Sequence, residues 1–346
     1  MNSVSSTAIE SGEPATGISQ LFGDMREKIN QVLQPLLPAV DENIALIDFP
    51  NHANVGDSMI WLGEQNFLQH HGFSDGVYYC EADTYCREDL ADAVGAGTIF
   101  LHGGGNLGDL WPMHQELREQ VITDFPGNRI IQLPQSICFE QRDNLRRARR
   151  ILEGHDRLTI LTRDRPSLEF AIEQLGVEAR LCPDLAFWLE PRGTPMPATF
   201  ERILLYRNDH EASREPPSEL EENTWAYDWC KDEQSELISL NTLLRERYCD
   251  ESSSDRQRTR AKLAAIYPAL AEQRFERGMS ALARGGYVIC ERLHGHILCL
   301  LLGISHRIVD TRHDKIRNFV ETWQYDHPLM SWADSPRAAL ESSQPE

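Results

Sequence analysis

Short apolar segments alternate with segments of helical periodicity along most of this chain of 346 residues. The apolar segments, such as IALIDF at 44–49 and RILLY at 202–206, are typical of strands that are buried on both faces. Between them lie helical patterns, such as the apolar stripe within 168–175, which ends at Gly176. Strands that alternate with helices favour parallel sheets covered by helices, so the predicted fold class is α/β. The predicted strands are 44–49, 77–80, 98–102, 129–133, 158–162, 178–182, 202–206, 287–290 and 307–309.

The chain is long enough for two domains of ordinary size, each with its own core. A cluster of prolines, Pro191, Pro195 and Pro197, places the predicted boundary near 190–200. Residues 209–260 are rich in acidic residues, serine and arginine, which predicts a long mobile loop or a partly helical insertion. The predicted organisation is a flexible N-terminal tail with a possible leading helix at 1–40, a first domain at 41–195, a second domain with the acidic insertion at 196–335, and a flexible tail at 336–346.

The charge of the chain limits the partners that it can bind. Its 54 acidic and 34 basic residues give a formal net charge of −20, which argues against nucleic acid because phosphate backbones bind through Lys and Arg. A local cluster of arginines can nevertheless bind a small anion within an acidic protein. Eight scattered cysteines form no C-x-x-C pair, so reduced thiols are expected and no metal site is predicted.

Neither an export signal nor a membrane span is visible in the sequence. Residues 1–17 contain no basic region followed by an apolar region, as a secretory signal would. The longest apolar run, HILCLLLGI at 296–304, is shorter than the roughly 20 residues of a membrane span. The sequence therefore predicts a cytoplasmic enzyme or binding protein.

The segment FLHGGGNLGD at 100–109 contains the pattern G-x-G-x-x-G, formed by Gly103, Gly105 and Gly108. In a dinucleotide-binding turn this pattern opens a helix, and an acidic residue follows roughly 20 positions later. Pro112 lies where that helix should run, and the next predicted strand ends in Pro-Gln instead of an acidic residue. The pattern therefore favours a glycine-rich loop for a sugar or a small anion over a site for NAD.

The tetrapeptide N-x-G-D occurs twice, at 54–57 and at 106–109, and each copy follows a predicted strand. In an open α/β sheet, ligands bind beyond the carboxyl ends of the strands, where glycines let the backbone approach a ligand. A single copy is better explained by a turn in which the Asp caps a helix, and Asp57 is the predicted N-cap of the next helix. Two copies at corresponding strand ends favour a role in a binding site. The candidate residues from these loops are Asn54, Gly56, Asp57, Gly103, Gly104, Gly105, Asn106 and Asp109.

The segment CERLHGH at 290–296 brings a carboxylate, a guanidinium and two imidazoles to one predicted strand–helix junction. An imidazole at such a position can donate or accept a proton near neutral pH. A lone histidine is more often a packed residue, and His296, which opens an apolar run, fits that description. Arg292 and His294 together are harder to explain structurally, so they are predicted site residues.

Three further cations follow strands or begin helices. Arg163, in TRDRPS, can bind a carboxylate or a phosphate with two hydrogen bonds, assisted by the N-terminus of the next helix. A salt bridge within the protein is the alternative role for Arg163. Arg207, in LLYRND, has the equivalent position in the second domain, and Lys315 begins the last predicted helix. These residues predict an anion-binding site.

Eight motifs occur in the order in which they occur in the polysaccharide pyruvyl transferases, and the chain resembles that family from about residue 44 to about residue 324. The motifs are HANVGD, FLHGGGNLGDLW, QLPQSI, TRDRPS, CPDLAF, YRNDHE, CERLHGHI and HDKIRNF. The resemblance implies two Rossmann-like domains that face each other across a cleft, as in GT-B glycosyltransferases. It also implies a cytoplasmic enzyme of exopolysaccharide or cell-wall polymer biosynthesis, which a lipid-linked acceptor would bring to the inner face of the membrane.

The resemblance further implies phosphoenolpyruvate as the donor, a sugar or a lipid-linked oligosaccharide as the acceptor, a pyruvate ketal as the product, and no cofactor. The family's Arg-Leu-His element matches 292–294, which assigns donor binding to Arg292 and acid catalysis to His294. Other proteins of exopolysaccharide assembly are implied as partners. The acidic insertion at 209–260 departs from the compact strands expected there, so it predicts a different choice of substrate or a role in assembly.

Other site residues follow from the same resemblance and from position. Arg163, Arg207 and Lys315 match positively charged positions of the family and complete the predicted anion site. The positions of Asp57 and Asp109 suggest that they orient or deprotonate the acceptor.

Two other functions remain compatible with the sequence. The first is a GT-B-type glycosyltransferase that uses a nucleotide sugar, because a fold does not determine a function. A nucleotide pocket in the C-terminal domain would identify it. The second is a non-catalytic sugar-binding or anion-binding protein, which tight donor binding without turnover would identify.

Overall fold

The computed structural model, which describes residues 13–74, 76–192, 197–209, 211–212, 220, 222–250 and 252–341, contains two parallel sheets. The first sheet consists of β1 (Ile44–Ile47), β2 (Tyr78–Cys80), β3 (Thr98–Leu101), β4 (Gly104–Gly108), β5 (Arg129–Cys138), β6 (Leu158–Thr162) and β7 (Ala179–Leu181). Its strand order is β2-β1-β3-β5-β6-β7, and β4 pairs with the second half of β5. Both β1 and β3 are buried along their whole length, as expected for a sheet covered on both faces.

The second sheet consists of β8 (Phe200–Leu205), β9 (Thr224–Tyr227), β10 (Gly285–Cys290), β11 (His306–Val309) and β12 (Met330–Ala333). Its strand order is β12-β11-β10-β8-β9, and all of its neighbouring strands are parallel. The predicted α/β class with parallel sheets is thus confirmed, and each predicted strand overlaps an observed one. The sequence did not predict β4, β9 or β12, and the GT-B-like arrangement of two Rossmann-like domains remains a prediction.

Helices cover the faces of both sheets. They are α1 (Glu13–Leu33), α2 (Val55–His70), α3 (Arg87–Val94), α4 (Pro112–Asp124), α5 (Arg142–Glu153), α6 (Arg165–Phe170), α7 (Glu236–Asp250), α8 (Ser253–Leu282), α9 (Leu293–Leu302), α10 (Lys315–Trp323) and α11 (Pro336–Glu341). A π-helical turn extends α6 to Leu175 and ends, as predicted, at Gly176, which has a left-handed conformation with a φ of 68°. None of the helices in the described part of the chain is both long enough and apolar enough to cross a membrane.

Both predicted tails contain packed helices. In α1, apolar residues recur every three or four positions and are buried, and Arg26 donates hydrogen bonds to the carbonyl oxygens of Phe187 at 3.1 Å and Leu189 at 2.7 Å. In α11, Ala339 and Leu340 are buried. The possible leading helix predicted within 1–40 is therefore observed at 13–33, where it is packed, and the tail predicted at 336–346 contains a packed helix at 336–341; residues 1–12 and 342–346 lie outside the described residues. The buried residues of α1 are Ile18, Phe22, Met25, Ile29 and Leu33.

The predicted acidic insertion contains ordered elements, namely β9, α7 and the first residues of α8. Its helices pack on loops of the first sheet: the side chains of Asn241 and Asn51 exchange hydrogen bonds of 3.0 and 3.2 Å, and the hydroxyl of Tyr248 donates to the carbonyl oxygen of Thr84 at 3.1 Å. The partly helical prediction therefore describes this segment better than a long mobile loop. Residues 210, 213–219, 221 and 251 of the insertion lie outside the described residues.

The two sheets share one apolar core. Leu46 and Phe100 of the first sheet belong to the same buried cluster as Ile203 and Val288 of the second. The helices α2 and α8 approach so closely that a Cβ atom on Gly278 would lie 2.4 Å from a methyl group of Val55. This packing holds the carboxyl ends of both sheets against each other, and the loops that follow those ends meet in one place.

A buried hydrogen-bonded chain joins His296, His306 and Tyr325. Nδ1 of His306 donates to the carbonyl oxygen of Ile304 at 3.0 Å, so Nε2 of the neutral His306 ring is an acceptor. Nδ1 of His296 lies 2.7 Å from that Nε2 atom, and Nε2 of His296 lies 2.6 Å from the hydroxyl of Tyr325. His296 is therefore a packed residue, in agreement with the sequence prediction.

The two buried histidines of this hydrogen-bonded series are expected to lower the free energy of unfolding at acid pH. Burial lowers the pKa of His296 well below its usual value and lowers that of His306 to about 4. In the unfolded chain both histidines bind protons below about pH 6.5, so the free energy of unfolding falls as the pH decreases from there. For His306 alone, the loss between pH 6.5 and pH 5 is about 2 kcal/mol. Urea unfolding of the wild type and of His306→Gln at these pH values should show a shallower fall in the variant, and equal slopes would contradict the prediction.

Candidate functional site

The loops at the carboxyl ends of both sheets surround a cavity of about 420 Å³. The first sheet contributes β4 and the segments after β1, β4 and β6, and the second contributes the segments after β8, β9, β10 and β11. Open α/β sheets bind their ligands in this position. The predicted site residues that line the cavity are Asn54, Asp57, Gly105, Asn106, Arg163, Arg207, Arg292, His294 and Lys315.

Asp184 joins the two sides of the cavity. This carboxylate is fully buried, and its Oδ2 atom accepts a hydrogen bond from Nη1 of Arg163 at 2.8 Å and lies 3.3 Å from Nε2 of His294. Its Oδ1 atom accepts a hydrogen bond from the backbone N–H of Ala186 at 2.9 Å. Burial raises the pKa of Asp184, but His294 and Arg163 outweigh burial and hold that pKa far below its usual range. Because an ionised carboxylate only accepts hydrogen bonds, Nε2 of His294 carries a proton.

Two glycines leave room for these side chains. A Cβ atom on Gly56 would lie 2.6 Å from Nδ1 of His294, and one on Gly105 would lie 2.8 Å from Nη2 of Arg163. Both distances are shorter than real Cβ contacts, so a larger residue at either position would displace a predicted site residue. Gly56 does not line the cavity itself but lies against the ring of His294.

Glu211 lies between two cations of the second sheet. Its carboxylate forms ion pairs with both Arg207 and Lys315, and all three side chains are at most about 10% exposed. Burial lowers the pKa of Lys315, and the nearby Glu211 only partly opposes this effect. Burial raises the pKa of Glu211, but Lys315 and Arg207 outweigh burial and lower it. The carboxylate is therefore ionised and holds both cations at the cavity wall.

Arg292 and Arg207 form hydrogen bonds with two further carboxylates that follow strands of the second sheet. Nη2 of Arg292 donates to Asp228 at 2.8 Å and to Asp209 at 3.5 Å, while Nη2 of Arg207 donates to Asp209 at 3.0 Å. Burial raises the pKa of Asp209, but the two arginines outweigh burial and lower it.

Within the described part of the chain, no three side chains of His, Cys, Asp or Glu are grouped so that they could hold a metal ion.

The loop after β1 places Asp57 in the cavity but gives it a different local role from the predicted one. The helix α2 begins at Val55, and its N-cap is Asn54, whose Oδ1 atom accepts a hydrogen bond from the backbone N–H of Gly56 at 3.1 Å. The prediction of Asp57 as the N-cap is therefore wrong. Asp57 instead accepts a hydrogen bond from Nδ2 of Asn54 at 2.8 Å and lies 3.6 Å from Nε2 of His52. Burial raises the pKa of Asp57, but His52 and other nearby histidines outweigh burial, and the pKa is lowered.

Three predicted site residues of the segment FLHGGGNLGD at 100–109, namely Gly103, Gly104 and Asp109, lie outside the cavity lining. Gly103 precedes β4, and Gly104 begins it with a φ of 123°, a region that favours glycine. Because Gly104–Gly108 is a strand, these glycines do not form the turn of a dinucleotide site. The carboxylate of Asp109 accepts hydrogen bonds from the backbone N–H groups of Glu140 at 2.7 Å and Gln141 at 2.8 Å, so it fixes the turn that precedes α5. Asp109 does not line the cavity, and its catalytic role stays a prediction.

Asn106, from the same segment, does line the cavity. Its Oδ1 atom accepts hydrogen bonds of 2.8 Å from Nη2 of Arg118 and from Nε2 of Gln135. These hydrogen bonds fix the side chain of Asn106 at the cavity wall.

The carboxylates Asp184, Asp209 and Glu211 were not predicted, because the acidic candidates at strand ends came only from the two N-x-G-D segments. All three follow strands and lie in the motifs CPDLAF and YRNDHE. The rule that ligands bind at carboxyl ends would have found them if it had been applied to the acidic residues after every predicted strand.

A second histidine–aspartate pair, His114 with Asp48, was also missed. His114 lies in the first turn of α4, which begins at Pro112 because the first turn of a helix tolerates proline. Pro112 therefore begins a helix, contrary to the expectation that it interrupts one. Nδ1 of His114 lies 2.9 and 2.8 Å from the two carboxylate oxygens of Asp48, which follows β1 with a φ of 78°. No sequence signal links two residues that are 66 positions apart.

Comparisons with known proteins agree with one another. A family model described as polysaccharide pyruvyl transferase matches residues 54–313. The chain is 33% identical over 307 residues to pyruvyl transferase 1 of Schizosaccharomyces pombe, across 82% of this chain and 70% of that protein. It is 28% identical over 305 residues to EpsO of Bacillus subtilis, which is named as a pyruvyl transferase, across 87% of this chain and 92% of that protein. The crystal structure of an uncharacterized protein of Klebsiella pneumoniae has the same fold, with a TM-score of 0.58 and 16% identity across 90% of this chain and 99% of the other.

Proposed function

Because the chain belongs to the polysaccharide pyruvyl transferase family, we propose that it transfers the pyruvyl group of phosphoenolpyruvate to two hydroxyls of a sugar and forms a pyruvate ketal. The observation that carries this proposal is the convergence of Arg163, Arg207, Arg292 and Lys315 with His294 on one cavity. These groups suit a small ligand that has two anionic groups and needs a proton.

The donor carries a carboxylate and a phosphate, and each requires cationic partners. Arginine suits both groups because its planar guanidinium can donate two parallel hydrogen bonds. In the proposal Arg292 and Arg163 bind the donor from the two sides of the cavity, and Arg207 and Lys315 complete the anion site. Rigid positioning by Asp184 supports this role for Arg163, because its guanidinium does not have to be ordered when the donor binds.

The proposed reaction adds a proton and a sugar oxygen across the double bond of the donor. A proton from His294 joins the methylene carbon, and a sugar hydroxyl attacks the adjacent carbon and gives its proton to a base. The bond from that carbon to the phosphate oxygen then breaks, and phosphate leaves with the electron pair. A second hydroxyl of the same sugar forms the last bond of the ketal and loses its own proton. The contact of Nε2 of His294 with the ionised Asp184 supports this role for His294, because it holds the ring in one orientation at the cavity.

The acceptor and the setting of the reaction are part of the same proposal. A polysaccharide acceptor, which the name of the family states, supports a place in exopolysaccharide or cell-wall polymer biosynthesis. The acceptor is then a sugar or a lipid-linked oligosaccharide, and the partners are other proteins of polymer assembly. In this setting the enzyme works in the cytoplasm, at the inner face of the membrane when the acceptor is lipid-linked, and needs no cofactor.

Calorimetric titration with phosphoenolpyruvate tests the proposal, with UDP-glucose and GDP-mannose titrated in parallel. We expect saturable binding of phosphoenolpyruvate by the wild type, and binding that is about 10–100-fold weaker in Arg292→Ala, because a charge-assisted hydrogen bond contributes about 1.5–3 kcal/mol. The matched control is Arg180→Ala, since Arg180 is exposed and does not line the cavity.

The other outcomes of this titration separate the competing functions. Binding of a nucleotide sugar in place of phosphoenolpyruvate would favour the GT-B-type glycosyltransferase. Tight binding of phosphoenolpyruvate without release of phosphate in the presence of any sugar acceptor would favour the non-catalytic binding protein.

A further inference from the structure

The pair of His114 and Asp48 has the geometry of a proton acceptor that faces the cavity. Asp48 is buried, and its pKa is lowered because His114 outweighs the effect of burial. An ionised carboxylate accepts hydrogen bonds, so the proton of the neutral His114 ring is on Nδ1, which lies 2.8–2.9 Å from both carboxylate oxygens. The other nitrogen, Nε2, then carries a free lone pair. Within the described residues the hydrogen bonds of His114 involve only Nδ1, and its side chain lines the cavity.

The first turn of α2 lies between this pair and the donor side of the cavity. Gly56 lies against the ring of His294, while its neighbour Asp57 lies 3.6 Å from Nε2 of His52. The ring of His52 in turn packs edge-on against the ring of His114, with their centroids 5.9 Å apart. The pair of His294 and Asp184 and the pair of His114 and Asp48 therefore reach the cavity from different sides of the N-terminus of α2.

The surroundings of His114 suit a sugar. Trp111 and Met113 precede it in the chain and also line the cavity, and the side chain of Met113 is half exposed. Sites for small polar ligands typically combine aromatic and apolar walls with a few fixed polar groups. Asn106, held by Arg118 and Gln135, is such a polar group on the same wall.

We infer that Nε2 of His114 is the base that accepts the proton of the attacking sugar hydroxyl, and that Asp48 positions its ring. This inference rests on the proposed function and deepens it by naming the acceptor side of the cavity. In this step the hydroxyl oxygen forms the bond to the donor carbon that carries the phosphate, and the hydroxyl proton passes to Nε2. The electron pair of the donor double bond takes the proton that His294 supplies at the methylene carbon.

Several charged or titratable groups surround His114, and they determine its basicity. They are Asp48 after β1, His52 in the following loop, Asp57 at the start of α2, and Arg118 one turn further along α4. Burial lowers the pKa of His114, but Asp48 and Asp57 outweigh burial and Arg118, and the pKa is raised. A raised pKa makes the neutral ring a stronger base, and activity is lost on the acid side where the ring is protonated.

Kinetics of His114→Gln, His114→Ala and Asp48→Asn test the inference, with His70→Gln as a control because His70 is exposed outside the cavity. Phosphate release from phosphoenolpyruvate is measured with the methyl glycosides of galactose, glucose, mannose and N-acetylglucosamine as acceptors. We expect kcat to fall about 10²–10⁴-fold in the His114 variants while the Kd for phosphoenolpyruvate stays within about twofold of the wild type. Added imidazole should restore part of the activity of His114→Ala.

To test whether Asp48 positions His114, we need a measurement that a purely structural role of Asp48 would not change. Removal of its charge lowers the pKa of His114, so the acid limb of the pH profile of kcat/KM should move to lower pH in Asp48→Asn. If that variant does not fold, the His114 variants decide the matter. A kcat within threefold of the wild type in His114→Gln would overturn this inference alone. A wild-type protein that binds no phosphoenolpyruvate and releases no phosphate with any glycoside would overturn the inference and the proposed function together.

Discussion

Replacement of His294 with alanine is expected to lower kcat for pyruvyl transfer by about 10²–10⁴-fold, while the Kd for phosphoenolpyruvate changes little. In the proposed reaction the imidazole supplies a proton only as the methylene carbon becomes a methyl group, so its loss affects the transition state more than the bound donor. Binding depends instead on the cations, which the substitution leaves in place. The measurement is phosphate release under saturating donor, together with calorimetric titration of the donor itself.

Two comparisons make this result interpretable. His70→Ala, which changes an exposed histidine outside the cavity, should keep the wild-type kcat. A His294→Ala variant with near-normal kcat would show that another group supplies the proton. A variant that binds the donor much more weakly would place His294 in the anion site instead.

Substitution of Asp184 with asparagine is expected to lower the free energy of unfolding by about 3–5 kcal/mol. The variant keeps the size of the side chain but removes the negative charge that faces Arg163 at 2.8 Å and His294 at 3.3 Å. Arg163 is only 3% exposed, so its charge would remain buried without this counterion. Urea unfolding followed by circular dichroism measures the change.

The same variant should lose transfer activity, because Asp184 fixes groups from both sides of the cavity. Asp156→Asn is a suitable control, since Asp156 is exposed and should change the free energy of unfolding by less than about 0.5 kcal/mol. A loss below about 1 kcal/mol in Asp184→Asn would mean that Arg163 finds another partner. It would contradict the inference that Asp184 holds the two sides of the cavity together.

The parts of the fold that could be predicted are those whose signal is local. The strands at 158–162 and 287–290 were found because apolar residues cluster over a few positions in a central parallel strand. In contrast, Gly104–Gly108 has almost no apolar side chains and becomes a strand by pairing with the second half of β5. The edge strand Thr224–Tyr227 does contain apolar side chains, but it is short and lies within a polar segment that hid it.

The site shows the same division between local and distant signals. Arg163 and Arg207 were found because each follows a strand, and topology alone brings the ends of parallel strands together. The contact of Asp184 with His294 spans 110 positions and that of Lys315 with Glu211 spans 104, so no short motif contains either pair. Asp57 and Asp109 share one motif, yet only Asp57 lines the cavity, because the neighbours of the two residues in space differ.

The carboxylates Asp209, Glu211 and Asp228 balance the charges of Arg207, Arg292 and Lys315. Under the proposed function, an arriving anion therefore competes with these internal carboxylates for the cations instead of entering a positive field. A monovalent ion such as chloride can take the place of only one carboxylate, whereas a ligand with two linked anionic groups can replace two in one event. Under the proposed function, the site is therefore expected to select its donor by the number and spacing of negative groups. In that case the acidic residues of the cavity wall supply the selectivity for an acidic ligand.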